Sequence, residues 1–224
     1  MDELIHELKQ QGVLRSPHVE AAFRAIDRKD FVLPEYRNEA YGNYPLPIGE
    51  GQTISQPYVV AFMLDLLDPK PGEKILDVGT GSGWTTALLA EIVSREPNKK
   101  IKMENKKLGR VFAIERISEI FKFGKANVAK YNFIKKGVVK FLYQDGTAGL
   151  AEEGPFDKIL ASAAAMGALP TAWRDQTKIG GAIVAPVESS VWRYVKEQEG
   201  RWAETEYPGF AFVPLVKNGR GKGS

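Results

Sequence analysis

The run from Ile75 to Gly83, ILDVGTGSG, constrains this chain more than any other stretch: an apolar strand enters a loop with glycine at every second position, followed by a helix. Gly79, Gly81 and Gly83 permit a sharp turn and the close approach of a ligand, which a Cβ would obstruct. The helix, expected from Trp84 to Ser94, turns its unpaired first amides toward whatever anion sits there. Asp77, at the carboxyl end of the strand, is placed to hold a cation or an amine.

The glycine spacing discriminates between ligands. A pyrophosphate fingerprint reads G-x-G-x-x-G, and the register set by Gly79 and Gly81 would demand glycine where Trp84 stands. G-x-G-x-G beside an acid better suits the amino-acid end of S-adenosylmethionine, its carboxylate meeting the amides and its ammonium meeting the acid. A glycine-rich turn with no ligand is the competing reading. A second acid, Glu115, ends the apolar strand VFAIE 36 residues after Gly79. Nucleoside-binding sheets place a ribose-binding acid about 20 residues after the loop. Setting aside the polar 16-residue stretch 94–109 restores that distance, so it reads as an insertion at the end of the helix. Long loops are tolerated because closure entropy rises slowly with length.

A chain of 224 residues with 43% hydrophobic and 26% charged residues fits one globular α/β domain. Residues 1–52 form N-terminal helices and a substrate-side loop, 53–216 the core carrying the 94–109 insertion, and 217–224 a disordered tail. The formal charge of +3 is too small to imply a nucleic-acid partner, and the chain has no cysteine for disulfides, thiolate metal sites or a cysteine nucleophile. The N-terminus lacks the apolar core of a signal peptide, and no run reaches membrane-spanning length. A soluble, cytoplasmic, monomeric protein with no membrane or nucleic-acid association is expected.

Helices are expected at 2–11 and at 17–28, the latter with Ser16 as N-cap and Pro17 at its first position. Residues 33–53 read as an ordered loop. A helix follows to Leu67, with Ser55 as N-cap and Val60, Met63, Leu64 and Leu67 as its apolar stripe. Strands at 74–79, 111–115, 138–143, 156–162 and 181–187 alternate with helices at 84–94, 118–132 and 170–176. This alternation predicts a mainly parallel, doubly wound sheet with helices on both faces. Strands at 191–196 and 202–215 form an antiparallel pair. Asp77, Glu115 and Asp145 fall at strand ends, where such sheets bind ligands.

The segments IGEGQTISQPYVVAFMLDLL (48–67), ILDVGTGSGW (75–84), VFAIE (111–115), QDGTAGL (144–150), PFDKILASAAA (155–165), LPTAWRDQTKIGGAIVAPV (169–187) and FVPLV (212–216) occur in a telling order. It is that of the protein-L-isoaspartate O-methyltransferases, which the chain resembles over nearly its whole length. TISQP is the specific part, because class I methyltransferases share the glycine loop. The resemblance implies an α/β Rossmann-like fold with an N-terminal helical cap. It implies S-adenosyl-L-methionine as methyl donor, S-adenosyl-L-homocysteine as product and no metal. The acceptor it implies is the carboxyl of isoaspartyl residues in damaged proteins and peptides, whose ester then closes to a succinimide. It places the catalytic serine at Ser55 and acceptor contacts at Thr53 and Ile54. Cofactor contacts fall at Asp77, Gly79, Thr80, Gly81, Ser82, Glu115, Asp145 and Gly146. Gln144 and Thr177 depart from the family pattern, and the insertion is longer than usual.

This chemistry needs little machinery. A carboxylate with a pKa near 4 is already ionised at neutral pH, so no strong general base is required. His6 and His18, the only histidines, lie away from every motif. The protein must supply orientation, which contributes about 7 to 11 kcal/mol when reactants are held near attack geometry. Ser55 would donate a hydrogen bond to the acceptor carboxylate, although an ordinary helix cap explains serine there equally well. Pro45, Pro47 and Pro214 are candidates for shaping the cleft. The insertion, with six cations against two acids, reads as a solvated loop. Its alternative role as an RNA contact would suit a methyltransferase acting on RNA or a small molecule, but ASAAAMGALP stands where a base-amine enzyme would carry Asn-Pro-Pro-aromatic.

Overall fold

A computed structural model describes residues 1–95 and 108–215. The expected insertion at 94–109, apart from Ser94, Arg95, Leu108 and Gly109, and the expected disordered tail lie outside the described residues.

The N-terminal helices form where their apolar residues recur on one face. α1 (Asp2–Gln10) buries Leu4, Ile5 and Leu8, and α2 (Pro17–Ala25) buries Val19, Ala22 and Phe23. Pro17 opens α2 as expected, but the Ser16 hydroxyl makes no capping bond. Instead, Asp65 accepts hydrogen bonds from the amides of Arg15 and Ser16 (3.1 and 2.8 Å). α2 also stops three residues early, because Asp27 accepts from the Lys29 amide and opens a 3-10 turn over Arg28–Phe31.

Residues 33–53 are more structured than their Pro, Gly and Asn content suggests. They hold a 3-10 turn at Pro34–Glu39 and the first strand of a hairpin, β1 (Leu46–Gly49) with β2 (Gln52–Ile54). Gly49, Glu50 and Gly51 all have positive φ, which closes the hairpin in so few residues. α3 (Pro57–Leu67) follows, with Gln56 rather than Ser55 at its N-cap.

The remaining strands are β3 (Lys74–Val78), β4 (Arg110–Glu115), β5 (Val139–Tyr143), β6 (Phe156–Ala161), β7 (Thr177–Val187), β8 (Ser190–Gln198) and β9 (Arg201–Pro208). They form one seven-stranded sheet in the order β5-β4-β3-β6-β7-β8-β9. β3 to β7 pair in parallel, and β8 and β9 are added antiparallel. The helices between strands are α4 (Trp84–Ser94), α5 (Ser118–Ala129) and the short α6 (Thr171–Asp175). Alternate residues of each parallel strand feed two cores. Ile75, Val111, Ala113, Leu160 and Val184 pack with α1 to α5. Leu76, Val78, Phe112, Ile114, Ile159 and Ile183 pack with Leu150, Leu169 and Trp173 of the opposite layer. A sheet buried on both faces explains why these strands read as continuous apolar runs.

Two strand boundaries depart from expectation. β7 starts at Thr177, not 181, because its pairing with β6 slips near Gly180 and Gly181. Gly180 has φ +79°, and a Cβ on Gly181 would lie 2.8 Å from the Asp157 carbonyl, so the glycines mark an irregularity inside the strand, not its edge. β9 stops at Pro208, before Gly209 (φ +93°), and residues 213–215 fold back against Ala164.

Candidate active site

The sheet order reverses at β3, flanked by β4 on one side and β6 on the other. The loops beyond the carboxyl ends of β3, β4, β5 and β6 open there onto one crevice of about 790 Å³, its mouth included. This is the position where open α/β sheets bind ligands. Gln52 to Ile54 of β2 and Ser55 line the same crevice, and Val213 to Leu215 complete its wall. That last segment is pinned by the Ala164 amide donating to Val213 O (2.8 Å) and the Leu215 amide donating to Ala164 O (2.7 Å).

The glycine loop is fixed by its own backbone. The amides of Gly79 and Thr80 donate to Ile114 O (2.9 and 3.2 Å), and the Gly83 amide donates to Thr80 O (2.9 Å). Gly83 (φ +83°) is irreplaceable in this geometry: a Cβ would lie 2.7 Å from Val128 Cγ2 and 2.8 Å from Gly124 O. Glu115 is buried and accepts from the Gly81 amide (3.2 Å) through Oε2 and from the amides of Arg116 (2.8 Å) and Ile117 (2.9 Å) through Oε1. An ionised carboxylate offers about four lone-pair directions, so the bonds to the chain leave one for a ligand hydroxyl. Thr80 lines the crevice, and its buried Oγ1 has no hydrogen-bond partner among the described residues. An orphaned buried hydroxyl costs free energy that a bound polar ligand would recover.

Of the residues expected from sequence, Ser55, Thr53, Ile54, Gly79, Thr80, Gly81, Ser82, Glu115 and Gly146 face the crevice, and Asp77 and Asp145 are not among its lining residues. Asp77 points to the helix side of β3, where Thr86 Oγ1 donates to its Oδ2 (2.6 Å) and its Oδ1 has no partner. Burial raises its pKa to about 7, the Thr86 bond opposes that rise, and the charge of Glu115 adds to it. A strand-end acid thus lies beneath the loop rather than on the ligand side, because both faces of β3 are covered. Asp145 Oδ1 accepts from the Thr147 amide (2.9 Å) and shapes the turn whose next residue, Gly146, lines the wall. A Cβ on Gly146 would collide with Val78 Cγ1.

The lining residues Gln144, Ser162 and Ala163 lie in the segments that carry the resemblance but are not among the expected site residues. They follow strand ends, and position after β5 or β6 is the clue that could have found them. Ser55, Thr85 and Ser162 also border a small adjoining cavity of about 230 Å³, walled by Val59, Val60, Met63, Leu160 and Phe212. Trp84 reaches the crevice edge, but its ring is 1% exposed and packs edge-on against Phe23 at 5.3 Å.

Arg28 was invisible in the sequence. It is wholly buried and donates to the carbonyls of Ala40 (2.8 Å), Gly42 (3.3 Å), Tyr44 (3.0 Å) and Ser55 (3.1 Å). Its guanidinium carbon lies 5.3 Å from the Trp84 ring centroid. Burial lowers its pKa to about 10.

A mainly parallel sheet with its crevice at the strand-order reversal, a glycine loop and an acid at the end of the next strand define a class I methyltransferase fold. A crystallised Plasmodium falciparum protein, assigned to the protein-L-isoaspartate O-methyltransferases and solved with S-adenosyl-L-homocysteine, superposes with a TM-score of 0.81 at 25% identity, covering 96% of this chain and 98% of its own. The family model described as protein-L-isoaspartate(D-aspartate) O-methyltransferase matches residues 1–220, and the chain belongs to that family. The protein-L-isoaspartate O-methyltransferase of Methanopyrus kandleri is 39% identical over 219 residues, spanning 96% of this chain and 90% of that protein. That of Aeropyrum pernix is 40% identical over 217 residues, spanning 95% and 78%.

Proposed function

We infer that the protein transfers a methyl group from S-adenosyl-L-methionine to the carboxyl of isoaspartyl residues in damaged proteins and peptides. The observation that carries this reading is the meeting of the glycine loop, Glu115 and the Thr53–Ser55 segment in one crevice. Family membership over residues 1–220 names the acceptor.

The residues fit the cofactor. Thr80, with its orphaned hydroxyl, and the loop from Gly79 to Ser82 would hold the amino-acid portion. Glu115 would take a ribose hydroxyl on its remaining lone pair, and Gly146 would bound the base. Asp77 would support the loop from behind through Thr86, and Asp145 would hold the turn around Gly146. When bound, the cofactor supplies an electrophilic methyl group on a positively charged sulfur.

The protein's own contribution is alignment. Ser55 Oγ would donate to one oxygen of the acceptor carboxylate, leaving the other to attack, while Thr53 and Ile54 bound the acceptor's backbone. An ionised carboxylate needs no base, so a crevice without histidine suffices. One chain supplies both walls, which supports action as a monomer, and a cytoplasmic setting suits a sequence without cysteine. Among the described residues no helix is long and apolar enough to cross a membrane. The basic stretch that raised the RNA alternative lies outside them except for Arg95.

The test pairs an isoaspartyl peptide with its aspartyl twin and methyl-labelled cofactor. Label entering the first alone is expected. Equal labelling of both, or of neither, would overturn the reading.

A further inference from the structure

We propose that Arg28 is a positioning residue for methyl transfer, which sets the Ser55 segment in register with the cofactor loop through its bonds to four carbonyls and its seat on Trp84. The proposal rests on the methyl-transfer reading above and assigns a part of that reaction to the N-terminal cap.

The geometry is unusual for a residue that only packs. A wholly buried cation is costly unless it is paired, and apolar side chains fill such space without that cost. Arg28 faces carbonyl oxygens from two separate segments, 40–44 and Ser55. A planar guanidinium carries five donors in a fixed fork, whereas an ammonium is a point charge on a flexible stem. Only the fork can tie both segments at once in a fixed plane. Beneath it lies Trp84, the first residue of α4, directly after the glycine loop. One side chain thus touches the acceptor segment and the foot of the donor loop.

The same segments are joined a second time. Gln56 Nε2 donates to Asn43 O (2.9 Å), and Asn43 Oδ1 accepts from the Tyr58 amide (2.9 Å) at the start of α3. The 40–44 loop is therefore a strut between Arg28 and the helix that follows Ser55. Loss of the fork would leave Ser55 attached to α3 but free to shift relative to the cofactor. In-line transfer is sensitive to displacement of about 1 Å, which alone can cost 100-fold in rate.

The experiment compares wild type, Arg28→Lys, Arg28→Gln, Ser55→Ala and the Arg28→Lys/Ser55→Ala double variant. It measures kcat and KM for an isoaspartyl peptide, and the Kd of S-adenosyl-L-homocysteine by calorimetry. For Arg28→Lys the expected kcat loss is about 30-fold, with Kd changed less than about threefold. In the Ser55→Ala background the lysine substitution is expected to cost no more than about twofold further, since both act on one alignment. Turnover retained within about threefold, equal losses in kcat and cofactor affinity, or losses that multiply in the double variant would each overturn the proposal. Amide hydrogen exchange on the wild type decides the matter if the variants do not fold. Amides at 53, 54, 55, 56 and 58 exchanging as slowly as those of α3 support a fixed segment, and exchange at the rate of open loops contradicts it. A wild-type enzyme that leaves the isoaspartyl peptide unmethylated would sink the functional reading itself.

Discussion

The two walls of the crevice are built by different means. The donor wall, assigned to the cofactor, grows out of the sheet: the amides of Gly79 and Thr80 donate to Ile114 O, Asn127 Nδ2 donates to Ser82 O (3.1 Å), and Glu115 accepts from three amides. The acceptor wall is backbone held by side chains. Arg28, Asn43 and Gln56 tie together the 40–44 loop, the short hairpin and the start of α3. A site that recognises one invariant cofactor can be part of the sheet itself. A site that must admit varied protein segments is built beside the sheet and fixed to it by side chains. Substitutions in the donor wall should therefore register in stability and cofactor affinity, and those in the acceptor wall in turnover.

The sharpest test of rigidity in the donor wall is Gly83→Ala. Positive φ and the clash with Gly124 O and Val128 act together, and a loss of about 3 kcal/mol in urea unfolding is expected. A loss below about 1 kcal/mol would show that the loop can yield, and the contrast between the walls would fail.

Asp77 tests the same wall from beneath. Its folded pKa, about 7, lies above the unfolded value, so the unfolded state ionises first as pH rises. Both states are protonated below pH 4 and no penalty applies. Stability is lost between about pH 4 and 7, and the penalty is constant above that range. From pH 5 to 8 the loss due to Asp77 is about 2 to 3 kcal/mol. Asp77→Asn should remove this part of the pH dependence, measured as the difference between the two unfolding curves. Curves that run parallel would mean that Asp77 is solvated, and that it reaches the crevice after all.

Glu115→Gln replaces an acceptor oxygen with a donor that faces an amide. The Kd of S-adenosyl-L-homocysteine should rise by about 10- to 100-fold, while kcat at saturating cofactor changes less than about threefold. A fall in kcat with unchanged Kd would reverse the assignment of the walls. The smallest effect is expected at Asp65, which holds the α1–α2 linker to α3 through the amides of Arg15 and Ser16. Asp65→Asn should cost about 1 kcal/mol in thermal unfolding with turnover intact, because Asp65 lies near the end of α3 away from Ser55 and does not line the crevice. Lost turnover would extend the acceptor wall from Arg28 to the α1–α2 linker.

The donor wall was legible in the sequence, because glycines, apolar runs and strand-end acids are local signals. Local signals do not show where a side chain turns: Asp77 sits at the strand end as expected, is bonded to Thr86 nine residues on, and is not among the crevice's lining residues. The acceptor wall was less legible. The hairpin of β1 and β2 has too few residues to show alternation, and its pairing depends on three successive positive-φ residues that read as loop. Arg28 lies in DRKDF, where it resembles any surface cation, and its partners are carbonyls that every residue carries. Ser55 is proposed through the resemblance carried by TISQP, and its expected role as helix cap passes to Gln56.

The central claim is that Ser55 serves the acceptor across a crevice whose other wall binds the cofactor. Ser55→Ala, measured with an isoaspartyl peptide and by titration with S-adenosyl-L-homocysteine, tests it most directly. The account predicts a kcat lowered about 100-fold with a cofactor Kd within about twofold of wild type. Unchanged turnover, or equal losses in turnover and cofactor affinity, would contradict it.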